Sequence, residues 1–162
     1  MRIISGLFKG KKIIEPNDTK TRPLKDLTKE SIFNIIEHSN KLNINLNESI
    51  ILDLFSGVGS FGIECLSRGA KKVVFIENYS GVLPILKKNL ADLITIKNYE
   101  IFERDIYKSD FQLDLKNKFN LIFLDPPYAD KNINELLYKI IKYELLNDDG
   151  IIIVHRHKSE KV

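Results

Sequence analysis

The spacing of apolar positions changes at about residue 49. Before that point, five apolar residues recur at helical spacing and would share one face of a helix over about residues 25–38. They are Leu27, Ile32, Phe33, Ile35 and Ile36. After it, short apolar runs alternate with helical patterns, which is typical of a parallel sheet with a helix in each crossover. The sequence therefore predicts an α/β fold with a doubly wound, mainly parallel sheet.

Five strands and three further helices are predicted in this second part. The strands cover residues 50–54, 72–76, 99–102, 119–124 and 151–154, and the helices cover residues 60–68, 80–92 and 132–143. Gly69 is expected to end the first of these helices. Ser80 is expected to cap the second, because a serine hydroxyl can accept a bond from the first turn. Residues 39–48 are rich in asparagine and predict a linker.

Residues 1–14 predict a small β-hairpin, because two β-branched runs flank a turn bracketed by Gly6 and Gly10. The first 12 residues hold four of the 25 basic side chains and none of the 22 acidic ones. A basic patch on a nearly neutral body is typical of proteins that bind nucleic acid. We therefore predict a basic hairpin arm over residues 1–20 and a main domain over residues 21–162. The residues predicted to contact RNA are Arg2, Lys9, Lys11, Lys12 and Arg22.

The composition of the chain indicates its class of protein, its cellular compartment and the kinds of site that it lacks. The 162 residues are 43% hydrophobic and 29% charged, which is ordinary for one globular domain. No apolar run is long enough to span a bilayer, and no secretory signal is visible. The single cysteine, Cys65, fits a reducing compartment. We expect a cytoplasmic monomer. No metal site is predicted, because His38, His155 and His157 lack a ligand pattern.

The most distinctive stretch follows the predicted fourth strand and reads Asp125-Pro126-Pro127-Tyr128. Neither proline can continue a strand, since neither has an N–H to give to a sheet. Asp125 and Tyr128 are therefore presented at the carboxyl end of a buried strand. Open α/β sheets bind their ligands at this edge.

A glycine loop follows the predicted first strand. Gly57, Gly59 and Gly62 satisfy G-x-G-x-x-G, and Glu77 lies about 20 residues further on, so a nicotinamide dinucleotide site is one alternative. Two features disfavour it. A polar turn that begins at Asp53 separates the strand from the first glycine, and no clear hydride-transfer residue is present.

S-adenosylmethionine accounts for more of these residues. This cofactor has a cationic sulfonium, an ammonium group, a ribose diol and an adenine, and it therefore needs acids near the glycine loop. Asp53, Glu77 and Asp105 end three successive strands and would share one sheet edge with Asp125. The predicted cofactor contacts are Asp53, Phe55, Ser56, Gly57, Gly59, Glu77, Asn78, Asp105 and Ile106.

These motifs resemble a known family. The glycine loop with Asp-Pro-Pro-Tyr resembles the class I, Rossmann-like methyltransferases that modify exocyclic amino groups. Residues 1–6 and 10–12 resemble the amino-terminal arm of the RsmD family, and residues 21–23, 30–35 and 65–70 resemble its next blocks. The resemblance implies methyl transfer from S-adenosylmethionine to N2 of a guanine in 16S rRNA. The partner would be the small ribosomal subunit or its assembly intermediate.

The resemblance also implies roles for the residues after the fourth strand. Asp125 and the Pro126 carbonyl would accept hydrogen bonds from the guanine amine, and Tyr128 would stack on the base. The predicted catalytic residues are Asp125, Pro126, Pro127 and Tyr128. Two alternatives remain open. One is an adenine-N6 methyltransferase on RNA or DNA, and the other is a catalytically weak RNA-binding ribosome assembly factor.

The chain departs from the family pattern at four positions and at its end. Leu27 and Thr28 stand where the family usually has a basic residue and a valine, and Leu24 stands where a small polar residue is usual. His155 stands where a glutamate usually follows the fifth strand. The family's sheet normally finishes with an antiparallel hairpin after that strand, whereas this sequence stops at Val162. We therefore expect the hairpin to be missing, which would leave the sheet edge open. Either the sequence is a truncated form, or a partner or a rearranged arm covers this edge.

Overall fold

The centre of the molecule is a five-stranded parallel sheet with the strand order β3-β2-β1-β4-β5. The computed structural model describes residues 1–108, 110 and 115–156. The strands are β1 (Ile50–Leu54), β2 (Lys72–Glu77), β3 (Tyr99–Glu103), β4 (Phe119–Leu124) and β5 (Leu146–Val154). The helices are α1 (Asp26–His38), α2 (Ser60–Ser67), α3 (Leu83–Ala91) and α4 (Ile133–Lys142). The predicted α/β class with a parallel sheet is confirmed.

Alternate residues of the central strands feed two separate cores, because successive strand side chains point to opposite faces. Ile51 and Phe123 belong to the core that also holds the buried residues of α1, α2 and α3. Leu52 and Leu124 belong to the core formed with α4. The sheet is therefore covered on both sides, and its central strands β1, β2 and β4 are largely apolar.

Two predicted boundaries differ from the structure by more than one residue. The second crossover helix, α3, begins at Leu83 rather than at Ser80, because the Tyr79 carbonyl accepts the N–H groups of both Val82 and Leu83 in a preceding turn. The fifth strand begins at Leu146 rather than at residue 151. Leu146 pairs with Phe119, and the register then shifts before the regular pairing of Ile151 with Leu121. The polar residues 147–150 lie at this irregularity and obscured the strand.

The predicted apolar face of α1 is partly wrong. Leu27 and Ile35 are 76% and 59% exposed, whereas Lys29, Phe33 and Ile36 are buried. The Lys29 ammonium donates to the Arg2 carbonyl at 2.7 Å and lies 3.5 Å from a Glu64 oxygen. A buried cation needs such partners, because an unpaired charge in the interior is strongly destabilising.

The amino-terminal arm docks on α2. Its two segments pair in the antiparallel direction of the predicted small hairpin, through a bridge between Arg2 and Lys12. Glu64 of α2 accepts the N–H groups of Ile4 at 2.8 Å and Ser5 at 2.9 Å. These two backbone N–H groups of the arm therefore find their hydrogen-bond acceptors on α2. The division of the chain at residue 20 stays a prediction.

None of the helices among the described residues is long and apolar enough to cross a membrane. The edge strand β5 pairs with β4 along its length, apart from the register shift. The residues on which the expected absence of a terminal hairpin depends, 157–162, lie outside the described part of the chain.

Candidate active site

A cavity of about 970 Å³ opens at the carboxyl ends of the strands. All the predicted cofactor contacts except Gly59, and all four predicted catalytic residues, line it. Gly59 instead packs below the loop, where an added Cβ would lie 2.6 Å from a Leu86 methyl carbon. Lys20 and Arg22 also line the cavity, whereas Arg2, Lys9, Lys11 and Lys12 do not. The volume is at the upper end of the range for small-molecule sites.

The loop after β1 has an unusual backbone. Phe55, Gly57 and Gly59 have φ angles of 58°, 56° and 87°. This left-handed region costs a residue with a side chain about 1–2 kcal/mol, so Phe55 is strained. The Ser56 hydroxyl donates to the Asp53 carbonyl at 2.6 Å and accepts the Ile76 N–H at 3.1 Å. These bonds hold the loop in its turn above β1 and β2.

Glu77, at the end of β2, is fixed by backbone donors. One of its oxygens accepts the Gly57 N–H at 2.7 Å, and the other accepts the N–H groups of Asn78 and Tyr79, both at 2.9 Å. Carboxylate oxygens have about two acceptor positions each. Glu77 is therefore rigid and keeps the capacity to accept a further hydroxyl group from the cavity.

Asp53, the last acid of β1, is 1% exposed and accepts the Gly62 N–H at 3.0 Å. Burial raises the pKa of Asp53 well above its usual value, and the negative charges of Asp125 and Glu77 raise it further. A glycine is needed at position 62 for this close approach. A Cβ added there would lie 2.9 Å from Asp53 Oδ2 and 2.3 Å from the Phe75 ring. A cation bound in the cavity would favour the ionised form of Asp53. The acid set therefore fits a positively charged ligand.

The far end of the cavity, after β3, is aromatic. The Asp105 carboxylate accepts the Tyr107 N–H at 2.9 Å, and the ring centroids of Tyr107 and Phe55 are 6.1 Å apart. The Tyr107 hydroxyl donates to Asp130 at 2.6 Å, and burial together with this bond raises the pKa of Tyr107. Two rings and the buried Ile106 form a wall that suits a flat heterocycle. Sequence reasoning missed Tyr107.

Asp125, which directly follows β4, is paired with a histidine that directly follows β5. The Leu124–Val154 pairing ends the β4–β5 ladder, and the His155 N–H donates to the Leu124 carbonyl at 2.8 Å. This register brings His155 Nδ1 to 2.8 Å from Asp125 Oδ1. The bond to Asp125 raises the pKa of His155. One feature of the sequence could have indicated this pair: both residues directly follow the apolar ends of predicted strands.

The segment over residues 19–24 forms the remaining wall of the cavity. The Arg22 guanidinium carbon lies 4.5 Å from the centroid of the Tyr128 ring, which is 50% exposed. Further along the same wall, the Tyr79 hydroxyl donates to Asp18 at 2.7 Å. A cation over an aromatic face is attracted by the ring quadrupole. Arg22 and Tyr128 therefore meet across the cavity.

Comparison with known proteins identifies the family. The model of the family described as Conserved hypothetical protein 95 matches residues 1–162. The chain belongs to this family. The resemblance to the RsmD family drawn from the sequence motifs is thereby confirmed.

Relatives within the family match most of the chain. YlbH of Bacillus subtilis, described as a candidate rRNA methyltransferase, is 35% identical over 98% of this chain and 84% of its own length. Ribosomal RNA small subunit methyltransferase D of Haemophilus influenzae is 34% identical over 99% of this chain and 80% of its own length. A solved structure of yhhF from Escherichia coli, described as a candidate methyltransferase, is 28% identical with a TM-score of 0.79. It aligns with 100% of this chain and 83% of its own.

At the position where the sequence resemblance leads to the expectation of a glutamate, His155 forms the bond to Asp125. Among the described residues, no group of three or more histidine, cysteine, aspartate or glutamate side chains could hold a metal ion. His157 lies outside the described residues. The site thus combines a set of acids, an aromatic wall and an Asp–His pair at one sheet edge.

Proposed function

We propose that this chain transfers a methyl group from S-adenosylmethionine to the exocyclic N2 of a guanine in 16S rRNA. The observation that carries the proposal is the position of Asp125, which lies on the same cavity as Asp53 near the end of β1, Glu77 at the end of β2 and Asp105 just after β3. The name of the Haemophilus influenzae relative supports a small-subunit rRNA substrate. The cytoplasmic location and the monomeric state remain predictions.

Four residues of the chain would hold the cofactor. Glu77, fixed by three backbone N–H groups, is suited to accept a ribose hydroxyl. Asp53, whose ionised form a bound cation would favour, would face the cationic part, and Phe55 with Tyr107 would suit the adenine. When it is bound, S-adenosylmethionine supplies an electrophilic methyl carbon on a sulfonium. These contacts are proposals that rest on the donor set.

The nucleophile would be the guanine amine, whose lone pair is delocalised into the ring. Asp125 and the Pro126 carbonyl would accept the two N–H bonds of this amine, which favours a pyramidal nitrogen. Attack by the amine nitrogen would form the nitrogen–carbon bond as the sulfur–carbon bond breaks, S-adenosylhomocysteine would be the leaving group, and the proton released from the methylated nitrogen would pass to solvent. Most of the acceleration would come from positioning and from electrostatics in a partly enclosed site. Tyr128 would stack on the base once the base leaves its RNA helix.

The test is methyl transfer to small subunits that lack the modification, followed by nucleoside analysis. We expect N2-methylguanosine. N6-methyladenosine would favour the adenine alternative, and the absence of any product would favour a binding protein. Asp125→Ala should abolish turnover while calorimetry still detects S-adenosylmethionine binding. The matched control is Asp148→Ala, which removes an exposed acid of β5 and should leave turnover unchanged. Turnover retained by Asp125→Ala would refute the assigned role.

A further inference from the structure

We propose that His155 is a positioning residue, which holds Asp125 in the orientation that accepts the amine N–H of the substrate. The inference rests on the proposed function. It begins from the backbone: β4 and β5 end in register at Leu124 and Val154, so the next residues, Asp125 and His155, are neighbours. The His155 N–H to the Leu124 carbonyl, at 2.8 Å, fixes the histidine backbone at this position.

The pair constrains a carboxylate that would otherwise rotate. The terminal torsion of an aspartate is broad and does not settle in one well by itself. The 2.8 Å bond between His155 Nδ1 and Asp125 Oδ1 removes this freedom. Because a carboxylate has two oxygens, Asp125 keeps acceptor capacity for the substrate amine. A misplacement of about 1 Å at a reacting group can cost about 100-fold in rate.

The charged groups around the imidazole decide how it responds to pH. Asp125, after β4, favours the imidazolium, whereas partial burial and the Arg22 cation on the opposite wall disfavour it. Arg156, the next residue, donates to the Asp130 carbonyl at 3.3 Å. The net effect is a raised pKa for His155. Protonation adds a charge-assisted bond that draws the Asp125 charge away from the substrate amine. Turnover should therefore rise as the pH rises through the His155 pKa.

Two substitutions at position 155 distinguish the role of the histidine in orienting Asp125 from the effect of its own protonation. In His155→Ala the bond is lost, and kcat should fall about 10- to 100-fold while the KM for S-adenosylmethionine changes little. In His155→Asn the amide can still donate to Asp125 but cannot titrate. Turnover should then be largely retained, and the pH dependence assigned to His155 should disappear. His38→Asn, at the exposed end of α1, is the control and should leave both the rate and the profile unchanged.

A second readout needs no RNA substrate. An NMR titration of the His155 ring should give a pKa that falls when Asp125 is replaced in Asp125→Asn. If the wild-type chain fails to methylate small subunits, the proposed function fails, and the titration still tests the pair. If the wild-type chain is active and His155→Ala has the same kcat and pH profile, the positioning role is wrong. An unchanged His155 pKa in Asp125→Asn would also overturn it.

Discussion

Asp53 is a buried carboxyl group beneath the glycine loop, where it accepts a hydrogen bond from the Gly62 N–H. Burial raises the pKa of Asp53 most, the negative charges of Asp125 and Glu77 raise it further, and the bond from the Gly62 N–H opposes part of the rise. The sign of the effect on stability follows from this direction. A group whose folded pKa is raised stabilises the fold below its unfolded pKa, and that contribution is lost as pH rises through the folded pKa. At neutral pH, Asp53 therefore destabilises the fold.

Asp53→Asn should accordingly stabilise the protein at alkaline pH. The asparagine stays neutral, and its side-chain oxygen can still accept the Gly62 N–H. We expect a gain of about 1 kcal/mol at about pH 8 that shrinks towards about pH 4, where the wild-type carboxyl group is protonated too. Urea unfolding at both pH values measures it. Asp148→Asn, an exposed acid, is the control. Equal or lower stability of Asp53→Asn at alkaline pH would contradict the argument.

The positions of the acids in the site could be predicted from the sequence, whereas the partnership of Asp125 with His155 and the burial of Lys29 could not. Asp53, Glu77 and Asp125 each follow an apolar run, so their place at a strand end is a local property. The partnership of Asp125 with His155 depends on the register of β4 and β5, which is a long-range property. The burial of Lys29 depends in the same way on the docked arm, because helical periodicity alone assigns a lysine to the surface.

At the scale of elements, the docking of the arm on α2 depends on close backbone approach. Gly6 and Gly10 have nearly the same φ angle, 83° and 84°. A Cβ added at Gly6 would lie 1.9 Å from the Ser67 carbonyl oxygen, whereas a Cβ at Gly10 would meet nothing within 4 Å. The Leu7 N–H donates to that same carbonyl at 2.7 Å. The two glycines therefore form a matched pair that differs in contact and not in backbone strain.

Gly6→Ala should undock the arm, and Gly10→Ala should not. The left-handed conformation alone predicts a loss of about 1–2 kcal/mol in the free energy of unfolding for Gly10→Ala. Gly6→Ala adds a collision with rigid backbone, which we expect to cost about 1–3 kcal/mol more. Urea unfolding measures both losses. Amide hydrogen exchange at Ile4 and Ser5, whose N–H groups bond to Glu64, reports undocking directly. Equal losses and unchanged exchange would contradict this account.

The elements predicted best are those buried on both faces. β1 and β4 have the predicted bounds, because their largely apolar runs leave few alternative assignments. The first part of β5 was missed, since residues 147–150 are polar and lie beside a register shift at the sheet edge. The amino-terminal segment paired as predicted in direction. Four of its backbone N–H groups, those of Ile4, Ser5, Leu7 and Phe8, however, donate to α2, which no local pattern indicates.

At the scale of the whole molecule, the net charge of +3 comes from the arm. The structure distinguishes its lysines. Lys11 donates to the Asp92 carbonyl and lies 5.7 Å from the centroid of the Phe8 ring, so its ammonium group is engaged by the body. Lys9 and Lys12 are exposed. Exposed ammonium groups on a docked scaffold are suited to contact phosphates, which would position an RNA without reading its sequence.

The double variant Lys9→Ala/Lys12→Ala should therefore weaken RNA binding and reduce its dependence on salt. Each phosphate contact contributes about 0.7–0.9 to the slope of log affinity against log salt, so losing two should flatten the slope by about 1.5. Filter binding to small-subunit rRNA across a salt series measures this. Lys116→Ala/Lys142→Ala removes the same charge from exposed positions outside the arm and should change the slope less. Equal slopes for both double variants would show that net charge, rather than the docked arm, governs binding.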